Sequence, residues 1–344
     1  MRAMILAAGY GTRLWPLTED RTKPAIPFLG RPLVGYVAEY LGKFGFQEVV
    51  VNLHHRPQSV RAALGDGSRF GVRLEYIEEP VILGTSGALD NARHLLEGDT
   101  FTVVNGKIIT DINLTEALET HRRTNALATL VLRPNPKRER FSIVETTSDG
   151  LIRGFGGMPT HEASDNVSEQ AKPVTSDIAA DTAADVPLMF TGIQILEPRI
   201  FDYIPRGIFS HPTTDVYPQA IRAGERVVAH VADGVWYELS TIPRYLEISL
   251  ALLAEDGRDM DAGEGCRISP EAKVSQALLW NEVTIEPGAQ VRRAILGDGV
   301  RIPAGEMIED AAVVRADLVR DKEPPPKALK GEIRGDNFVV PLRQ

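Results

Sequence analysis

The sequence has a single cysteine, Cys266, among its 344 residues. An intramolecular disulfide is therefore impossible, and nothing in the cysteine usage indicates an oxidising compartment. The sequence also lacks any apolar run that approaches the roughly 20 residues a membrane helix needs, and its first residues do not have the layout of a signal peptide. These absences predict a cytoplasmic protein that does not act in a membrane.

An excess of basic residues is missing as well. The formal net charge is −9, which argues against a nucleic-acid partner. A small phosphorylated ligand is not excluded, because it needs only a local basic pocket. Hydrophobic residues make up 43% of the chain and charged residues 25%, the balance of an ordinary globular protein. The length allows one large domain or two moderate ones.

The first two thirds of the sequence alternate between strand and helix patterns. An apolar run at 4–8 ends in glycines, residues 33–44 have apolar positions at helical spacing, and EVVVNL at 48–53 is typical of a strand buried on both faces. The same alternation continues to about residue 256. It predicts an α/β fold with a mostly parallel, Rossmann-like sheet and helices on both faces.

Two later segments depart from this pattern. Residues 160–187 are acidic, rich in Ser, Thr and Ala and without periodicity, which predicts a mobile surface insertion. After residue 263, Ile and Val return about every six residues, the period of a parallel β-helix, although a few irregular strands remain an alternative. We therefore predict a first domain at 1–257, a short left-handed parallel β-helix at 263–318 and a C-terminal tail at 319–344.

The stretch GYGTRLWPLTEDRTKP follows the first predicted strand directly. A strand that runs into a glycine-rich turn places backbone N–H groups at the carboxyl edge of the sheet, where they suit phosphate oxygens. Gly9 and Gly11 would let the backbone approach a ligand closely, and Arg13 and Lys23 add positive charge. The third glycine of a dinucleotide fingerprint and the GK[ST] of a P-loop are both absent. From spacing alone, a tight turn with surface bases therefore remains the alternative.

The longer stretch GYGTRLWPLTEDRTKPAIPFLGRPL closely resembles the signature of the sugar-nucleotide pyrophosphorylases, also called nucleoside-diphosphate-sugar nucleotidyltransferases. The coil pattern after residue 263 resembles the tail of mannose-1-phosphate guanylyltransferase-like members. Four further segments carry the resemblance: LGTSGAL (83–89), VVNGKIITDI (103–112), FTGIQILEPRIFDYIP (190–205) and WYELSTIPRYLE (236–247).

This resemblance implies that a nucleoside triphosphate and a sugar 1-phosphate are joined with release of pyrophosphate. It assigns Arg13 to the leaving pyrophosphate and Lys23 to the reacting phosphates as the catalytic residues. It also assigns a set of residues to binding of the triphosphate, the nucleobase and the sugar. These substrate-binding residues are Ala8, Gly9, Gly11, Thr12, Gly84, Thr85, Gly87, Asn105, Lys107 and Gly192.

Three departures from the family pattern bear on the reacting centre: two concern the metal site, and the third, a missing EKP-like lysine, concerns contact with the sugar phosphate. Family members usually carry an NGD aspartate that binds Mg²⁺, and this chain has Lys107 there. They usually have DIGT where this chain has ELST, which offers Glu238, and an EKP-like lysine where this chain has GFGGMP at 154–159. Because a protonated lysine cannot ligate Mg²⁺, we expect Asp111 or Glu238 to hold the metal if the chain uses one.

Three functions stay open at this point. The chain could be an active nucleotidyltransferase, a weak or inactive homologue that binds a sugar nucleotide and regulates a partner, or a scaffold that assembles through its β-helix. The expected protein partner is a second copy or a homologous subunit, paired through the C-terminal module. GTP with mannose 1-phosphate is the first guess for the substrates. Glucose or heptose 1-phosphate with UTP, CTP or dTTP remains open.

Overall fold

The computed structural model describes residues 1–136, 139, 141, 143–156 and 186–343. The predicted insertion at 160–187 lies outside the described residues except for its last two, and so does the second half of the GFGGMP segment. Within the described residues, no helix has both the length and the apolar character that crossing a membrane requires.

The described residues form strands and helices that alternate along the chain. The strands are β1 (Arg2–Leu6), β2 (Pro27–Phe28), β3 (Arg31–Pro32), β4 (Glu48–Leu53), β5 (Arg73–Glu78), β6 (Phe101–Asn105), β7 (Ile108–Thr110), β8 (Ala128–Pro134), β9 (Ile143–Thr146), β10 (Ile152–Gly156), β11 (Leu188–Leu196), β12 (Val227–Val231), β13 (Trp236–Glu238), β14 (Met260–Ala262), β15 (Arg267–Ile268), β16 (Lys273–Leu279), β17 (Thr284–Ile285), β18 (Gln290–Leu296), β19 (Arg301–Ile302), β20 (Met307–Arg315), β21 (Glu332–Arg334) and β22 (Asn337–Pro341). The α-helices are α1 (Leu33–Lys43), α2 (Pro57–Leu64), α3 (Gly84–Asn91), α4 (Arg93–Leu96), α5 (Leu114–Thr124), α6 (Tyr217–Arg222) and α7 (Ile242–Glu255).

The chain divides into two compact units that are interleaved in sequence. Unit 1 consists of Met1–Ile82, Val104–Asp111 and Val235–Gln344. Unit 2 consists of Leu83–Val103 and Ile112–Gly234. The predicted boundaries of the first domain, the β-helix and the tail, at 257, 263 and 319, rest on the sequence pattern and stay predictions.

Unit 1 contains a parallel sheet in which β4 lies between β1 and β5. Its strands form where the apolar runs predict them, since Val49, Val50 and Val51 are buried on β4. The end of β6 lies on the other side of β1, where the Gly106 amide donates a hydrogen bond to Leu6 O at 2.9 Å. The carboxyl ends of these strands therefore meet at one edge, and β1 continues there into the glycine-rich loop.

The last third of unit 1 is a parallel β-helix. Strands β14, β16, β18 and β20 stack in parallel, and so do the short strands β15, β17 and β19. Arg293 and Asp310, on successive coils, are 17 residues apart, which is close to three six-residue repeats. The six-residue return of Ile and Val is thus part of a 17-residue coil, in which Ile285 stacks on Ile302. The tail strand β22 pairs antiparallel with β20 and covers the edge of the last coil.

One hydrophobic cluster joins the β-helix to the start of the chain. It contains Leu14, Trp15 and Ile26 from the signature stretch, together with buried residues of α7, of the coils and of the tail. From the coils it includes Leu278 and Trp280. The sequence does not predict this shared core, because a six-residue period describes the inside of a coil and says nothing about what its outer face packs against.

Unit 2 contains a mixed sheet. Strand β8 pairs in parallel with β12 and antiparallel with β11, which in turn pairs antiparallel with β9. Strands β9 and β10 form an antiparallel pair joined by a short turn, and a short connection cannot join parallel neighbours. The predicted α/β class with a Rossmann-like sheet is confirmed, and the antiparallel part is where the strand–helix alternation is interrupted.

Candidate active site

The glycine-rich loop begins at the end of β1 and is held by a buried asparagine. The Ala7 amide donates to Asn52 Oδ1 at 2.7 Å, and Asn52 Nδ2 donates to Glu79 Oε1 at 2.6 Å. Asn52 and Glu79 are both buried. Sequence reasoning missed this pair, although a lone asparagine in the otherwise apolar EVVVNL run is a signal that could have found it.

The two glycines of the loop, Gly9 and Gly11, have different structural roles. A Cβ on Gly9 would meet nothing within 4 Å, so the backbone there is open to a ligand, as the sequence predicts. Gly11 has a φ of +70°, and a Cβ on it would lie 2.8 Å from the Cβ of Lys23. Gly11 is therefore needed to let Lys23 pack against the loop, a reason that the sequence alone does not give.

Lys23 lies at the start of a single 3₁₀ turn, Lys23–Ala25, and is only 6% exposed. Thr12 and Arg13 begin another such turn, Thr12–Leu14, which follows Gly11 directly. Ala8 is buried at the start of the loop. A lysine that is this deeply buried needs negative charge nearby.

That negative charge comes from Glu238, at the end of β13. Strand β13 pairs antiparallel with β7, so that Glu238 lies opposite Ile108. Lys107 precedes β7, and its Nζ lies 2.7 Å from Glu238 Oε1. The sequence predicts both residues at the site but does not predict that they pair with each other.

Glu238 carries the clearest electrostatic signature of the site. Burial alone would raise the pKa of its carboxyl group, but the charges of Lys107, Lys23 and Arg13, with a hydrogen bond from Lys107, lower that pKa to about 2. Three cations on separate parts of unit 1 therefore act on one buried carboxylate. The arrangement has an excess of positive charge and suits a polyanion.

Asn105 ends β6, two residues before Lys107, and is half-buried. The amide of the next residue, Gly106, donates a hydrogen bond to Leu6 O just before the loop. Apart from Asp111, the structure thus brings the predicted residues of unit 1 to one region around the loop. These are Ala8, Gly9, Gly11, Thr12, Arg13, Lys23, Asn105, Lys107 and Glu238.

Asp111 does not join Glu238. Its Oδ1 accepts a hydrogen bond from the Val235 amide at 2.5 Å, at the far end of the β7–β13 ladder. Val235 and Glu238 are three residues apart on one extended segment, which is about 10 Å at 3.3 Å per residue, and they point to opposite faces. The two expected metal ligands are therefore separated in the structure.

The residues present do not fit a carboxylate-held Mg²⁺ site. Mg²⁺ requires oxygen ligands at about 2.0–2.1 Å in octahedral geometry, whereas Glu238 is paired with the Lys107 ammonium. In the described part of the chain, no group of three or more His, Cys, Asp or Glu side chains is arranged to hold a metal ion. No catalytic step is therefore assigned to a metal bound by Asp111 and Glu238.

The remaining candidates belong to unit 2, and three of them, Gly84, Thr85 and Gly87, lie at the start of α3. A Cβ on Gly84 would lie 2.6 Å from Ser210 O, and one on Gly87 would lie 2.6 Å from Ile208 O. The Ser86 amide donates to Ser210 O at 2.9 Å. These glycines are thus required for packing against 208–211 within unit 2, in addition to any contact with a nucleobase.

Two other unit 2 residues were predicted to bind substrate. Thr85 follows Gly84, and its amide donates to His211 Nδ1 at 3.5 Å. Gly192 has a φ of +81° and lies where the β11–β8 register shifts. An irregular strand position with positive φ favours glycine. The backbone alone therefore explains a glycine at position 192.

Two family models match the sequence of this chain. The family model described as "Nucleotidyl transferase" matches residues 2–255. The chain belongs to the nucleotidyl transferase family. A second model, described as "GlmU-like, C-terminal hexapeptide", matches residues 262–318, which confirms the predicted left-handed parallel β-helix. The chain is thus a nucleotidyltransferase with a hexapeptide-repeat module.

Named relatives of this nucleotidyltransferase act on sugar phosphates. The chain is 30% identical over 301 residues to a UTP–glucose-1-phosphate uridylyltransferase of Synechocystis, covering 83% of this chain and 72% of the relative. It is 27% identical over 317 residues to a mannose-1-phosphate guanylyltransferase of Mycobacterium tuberculosis, covering 83% and 81%. The crystal structure of HddC from Yersinia pseudotuberculosis aligns with a TM-score of 0.58 at 20% identity, covering 73% of this chain and 99% of HddC. At that identity the last similarity concerns the fold alone.

Proposed function

We propose that this nucleotidyltransferase joins a nucleoside triphosphate to a sugar 1-phosphate. A phosphate oxygen of the sugar 1-phosphate forms a bond to the α-phosphorus, and the bond from that phosphorus to the β-phosphate bridging oxygen breaks. The leaving oxygen keeps the electron pair, and pyrophosphate departs. The observation that carries the proposal is the convergence of Arg13, Lys23 and Lys107 on buried Glu238 beside the glycine-rich loop.

The charges of the site match this reaction. The nucleophile is already anionic, so no strong general base is required, and the barrier is lowered chiefly by positioning and by neutralising charge. Arg13 would hold the leaving pyrophosphate, because a guanidinium can bind two phosphate oxygens at once. Lys23 would neutralise the reacting phosphates from its buried position.

Lys107 and Glu238 have a linked role in the proposal. Without ligand, Glu238 is the internal counter-ion of the three cations. When a triphosphate binds, its oxygens compete with Glu238 for the Lys107 ammonium. Lys107 would then neutralise phosphate charge directly, a task that Mg²⁺ performs in typical members of the family. Binding of nucleotide should accordingly depend little on Mg²⁺.

The other residues complete the assignment. The backbone at Gly9 is open to the triphosphate. The other proposed contacts of the triphosphate are Ala8, Gly11, Thr12 and Asn105. For the nucleobase and the sugar, the proposed contacts are Gly84, Thr85, Gly87 and Gly192.

The proposal extends to the substrates, the partner and the location. The two relatives above differ in base and in sugar, so the identity of both rests on assay, beginning with GTP and mannose 1-phosphate. A regulatory homologue without turnover remains the second candidate, and the comparisons do not favour it over the enzyme. Pairing of subunits through the β-helix, and a location in the cytoplasm, stay predictions from the sequence.

The test is a pyrophosphate-release assay with each pairing of GTP, UTP, CTP and dTTP with mannose, glucose and heptose 1-phosphates. We expect one pairing to exceed the others. Arg13→Ala should lower that activity by at least about tenfold, the loss of one charge-assisted contact. Arg31→Ala is the matched control, because Arg31 lies in the same stretch, its side chain is 50% exposed, and it pairs with Glu39 on the surface. No release with any pairing, while the nucleotides still bind, would favour the regulatory homologue.

A further inference from the structure

The signature stretch is fastened to the C-terminal module next to its catalytic lysine. Arg21 lies two residues before Lys23 and donates two hydrogen bonds to Asp20, at 2.9 and 3.0 Å. The same guanidinium pairs with Asp298, in the turn after β18, and lies over the ring of Trp280 at 4.9 Å. Arg21 thus connects the phosphate-binding stretch to two residues of the β-helix.

Asp298 and Trp280 are themselves held in place. Asp298 Oδ1 accepts a hydrogen bond from the Asn281 amide at 2.9 Å, on the preceding coil. Trp280 is 4% exposed, and its Nε1 donates to the Tyr245 hydroxyl at 3.1 Å. That hydroxyl donates in turn to Pro27 O. The contacts therefore reach the stretch on both sides of Lys23, at Arg21 and at Pro27.

A second set of contacts joins the same stretch to the tail. The ring of Trp15 packs edge-on against Phe338 with centroids 5.5 Å apart, and Trp15 Nε1 donates to Glu19 at 2.8 Å. Glu19 also pairs with Arg56 at 3.2 Å and lies 3.8 Å from Lys322. The β-helix and its tail consequently contact the stretch from residue 15 to residue 27.

We propose that the β-helix is a positioning element for the phosphate site, and that the Asp298–Arg21 ion pair, supported by Trp280, fixes Lys23 for contact with the triphosphate. The inference rests on the proposed phosphate-binding role of Lys23. Arg21 is a positioning residue and not a ligand, because its side chain is committed to Asp20, Asp298 and the indole ring. A charge-assisted, half-shielded pair of this kind holds geometry more strongly than an exposed pair does.

The probe is inorganic tripolyphosphate, and the measurement is its dissociation constant by titration calorimetry on the full chain. Asp298→Asn keeps the size of the side chain and an oxygen for the Asn281 amide, but removes the charge that holds Arg21. We expect its affinity to fall roughly three- to tenfold, which corresponds to about 0.6–1.4 kcal/mol. Asp298→Glu, which keeps the charge, should recover most of the affinity.

The matched control is Glu309→Gln, which removes an exposed ion pair with Arg292 on the same β-helix. Its affinity should equal that of the wild type. In turnover, Asp298→Asn should raise the KM for the nucleotide, and Glu309→Gln should leave that KM unchanged. The melting temperatures of Asp298→Asn and Glu309→Gln should stay close to that of the wild type. A purely structural role of Asp298 would instead lower the melting temperature without a selective change in nucleotide binding.

The outcomes separate the two claims. Wild-type affinity in Asp298→Asn, or a loss shared equally by Glu309→Gln, would overturn the positioning role and leave the phosphate site standing. A wild-type protein that binds no tripolyphosphate would overturn the phosphate site and the positioning role with it. A large drop in melting temperature without a change in affinity would show that the contact serves stability alone.

Discussion

Replacing Glu238 with Gln should separate the stability of the site from its affinity for phosphate. The substitution keeps the shape of the side chain and removes the negative charge on which Lys107, Lys23 and Arg13 act. Three cations then lack their internal counter-ion. We expect Glu238→Gln to be less stable than the wild type when no anion is present.

The magnitude follows from the pKa of Glu238, which is about 2 in the folded chain against an ordinary 4.5. One pKa unit corresponds to 1.36 kcal/mol, so the charged form contributes up to about 3 kcal/mol. Since the folded pKa is the lower one, this contribution is complete above pH 4.5 and is lost as the pH falls toward 2. The difference between wild type and variant should shrink over the same range.

The assay is urea unfolding of the wild type and Glu238→Gln from pH 7 down to pH 3. Glu247→Gln is the matched control, because Glu247 follows on α7 and is exposed. Its unfolding free energy should stay within about 0.5 kcal/mol of the wild type. Tripolyphosphate should also bind more tightly to Glu238→Gln, because the carboxylate no longer competes for Lys107. Equal stability at pH 7, or weaker binding by the variant, would refute the counter-ion role.

Two further substitutions test how the site is held. Gly11→Ala should lower the free energy of unfolding by at least about 1–2 kcal/mol because of its φ of +70°, with a further loss from the contact with Lys23. The control Gly9→Ala should change it by no more than about 0.5 kcal/mol. Equal melting temperatures of the two variants would contradict the packing role of Gly11. Trp280→Ala should cost about 3–5 kcal/mol in chemical unfolding, because the ring belongs to the core shared with residues 14–33. Ile268→Ala, at a residue 37% exposed on the coil, should cost far less, and a loss below about 1 kcal/mol in Trp280→Ala would show that the coil packs independently.

Much of the fold follows from local patterns. The helix predicted at 33–44 is observed at Leu33–Lys43, and the strand predicted at 48–53 is observed at Glu48–Leu53. These boundaries could be predicted because apolar spacing is a signal that extends over only a few residues. The β-helix was accessible for the same reason, since its period repeats along the chain.

The parts that escaped prediction depend on residues far apart in sequence. The pairing of Lys107 with Glu238 requires β7 and β13 to lie side by side, and no local pattern encodes that ladder. The contact of Gly11 with Lys23 requires the stretch between them to fold back. The Arg21–Asp298 pair requires the coil to pack on the first residues of the chain. Sequence reasoning could name candidate residues around the glycine-rich loop, but it could not say which of them would touch.

The most direct test of the site is pyrophosphate release measured against Mg²⁺ concentration, with nucleotide affinity measured in parallel, for the wild type and Lys107→Asp. The central claim is that Lys107, with Arg13 and Lys23, neutralises phosphate charge directly. It predicts that the wild type binds nucleotide with little dependence on Mg²⁺ and that Lys107→Asp acquires a strong dependence. Fast turnover by the wild type that requires Mg²⁺ fully, and is unchanged or lost in Lys107→Asp, would contradict the claim.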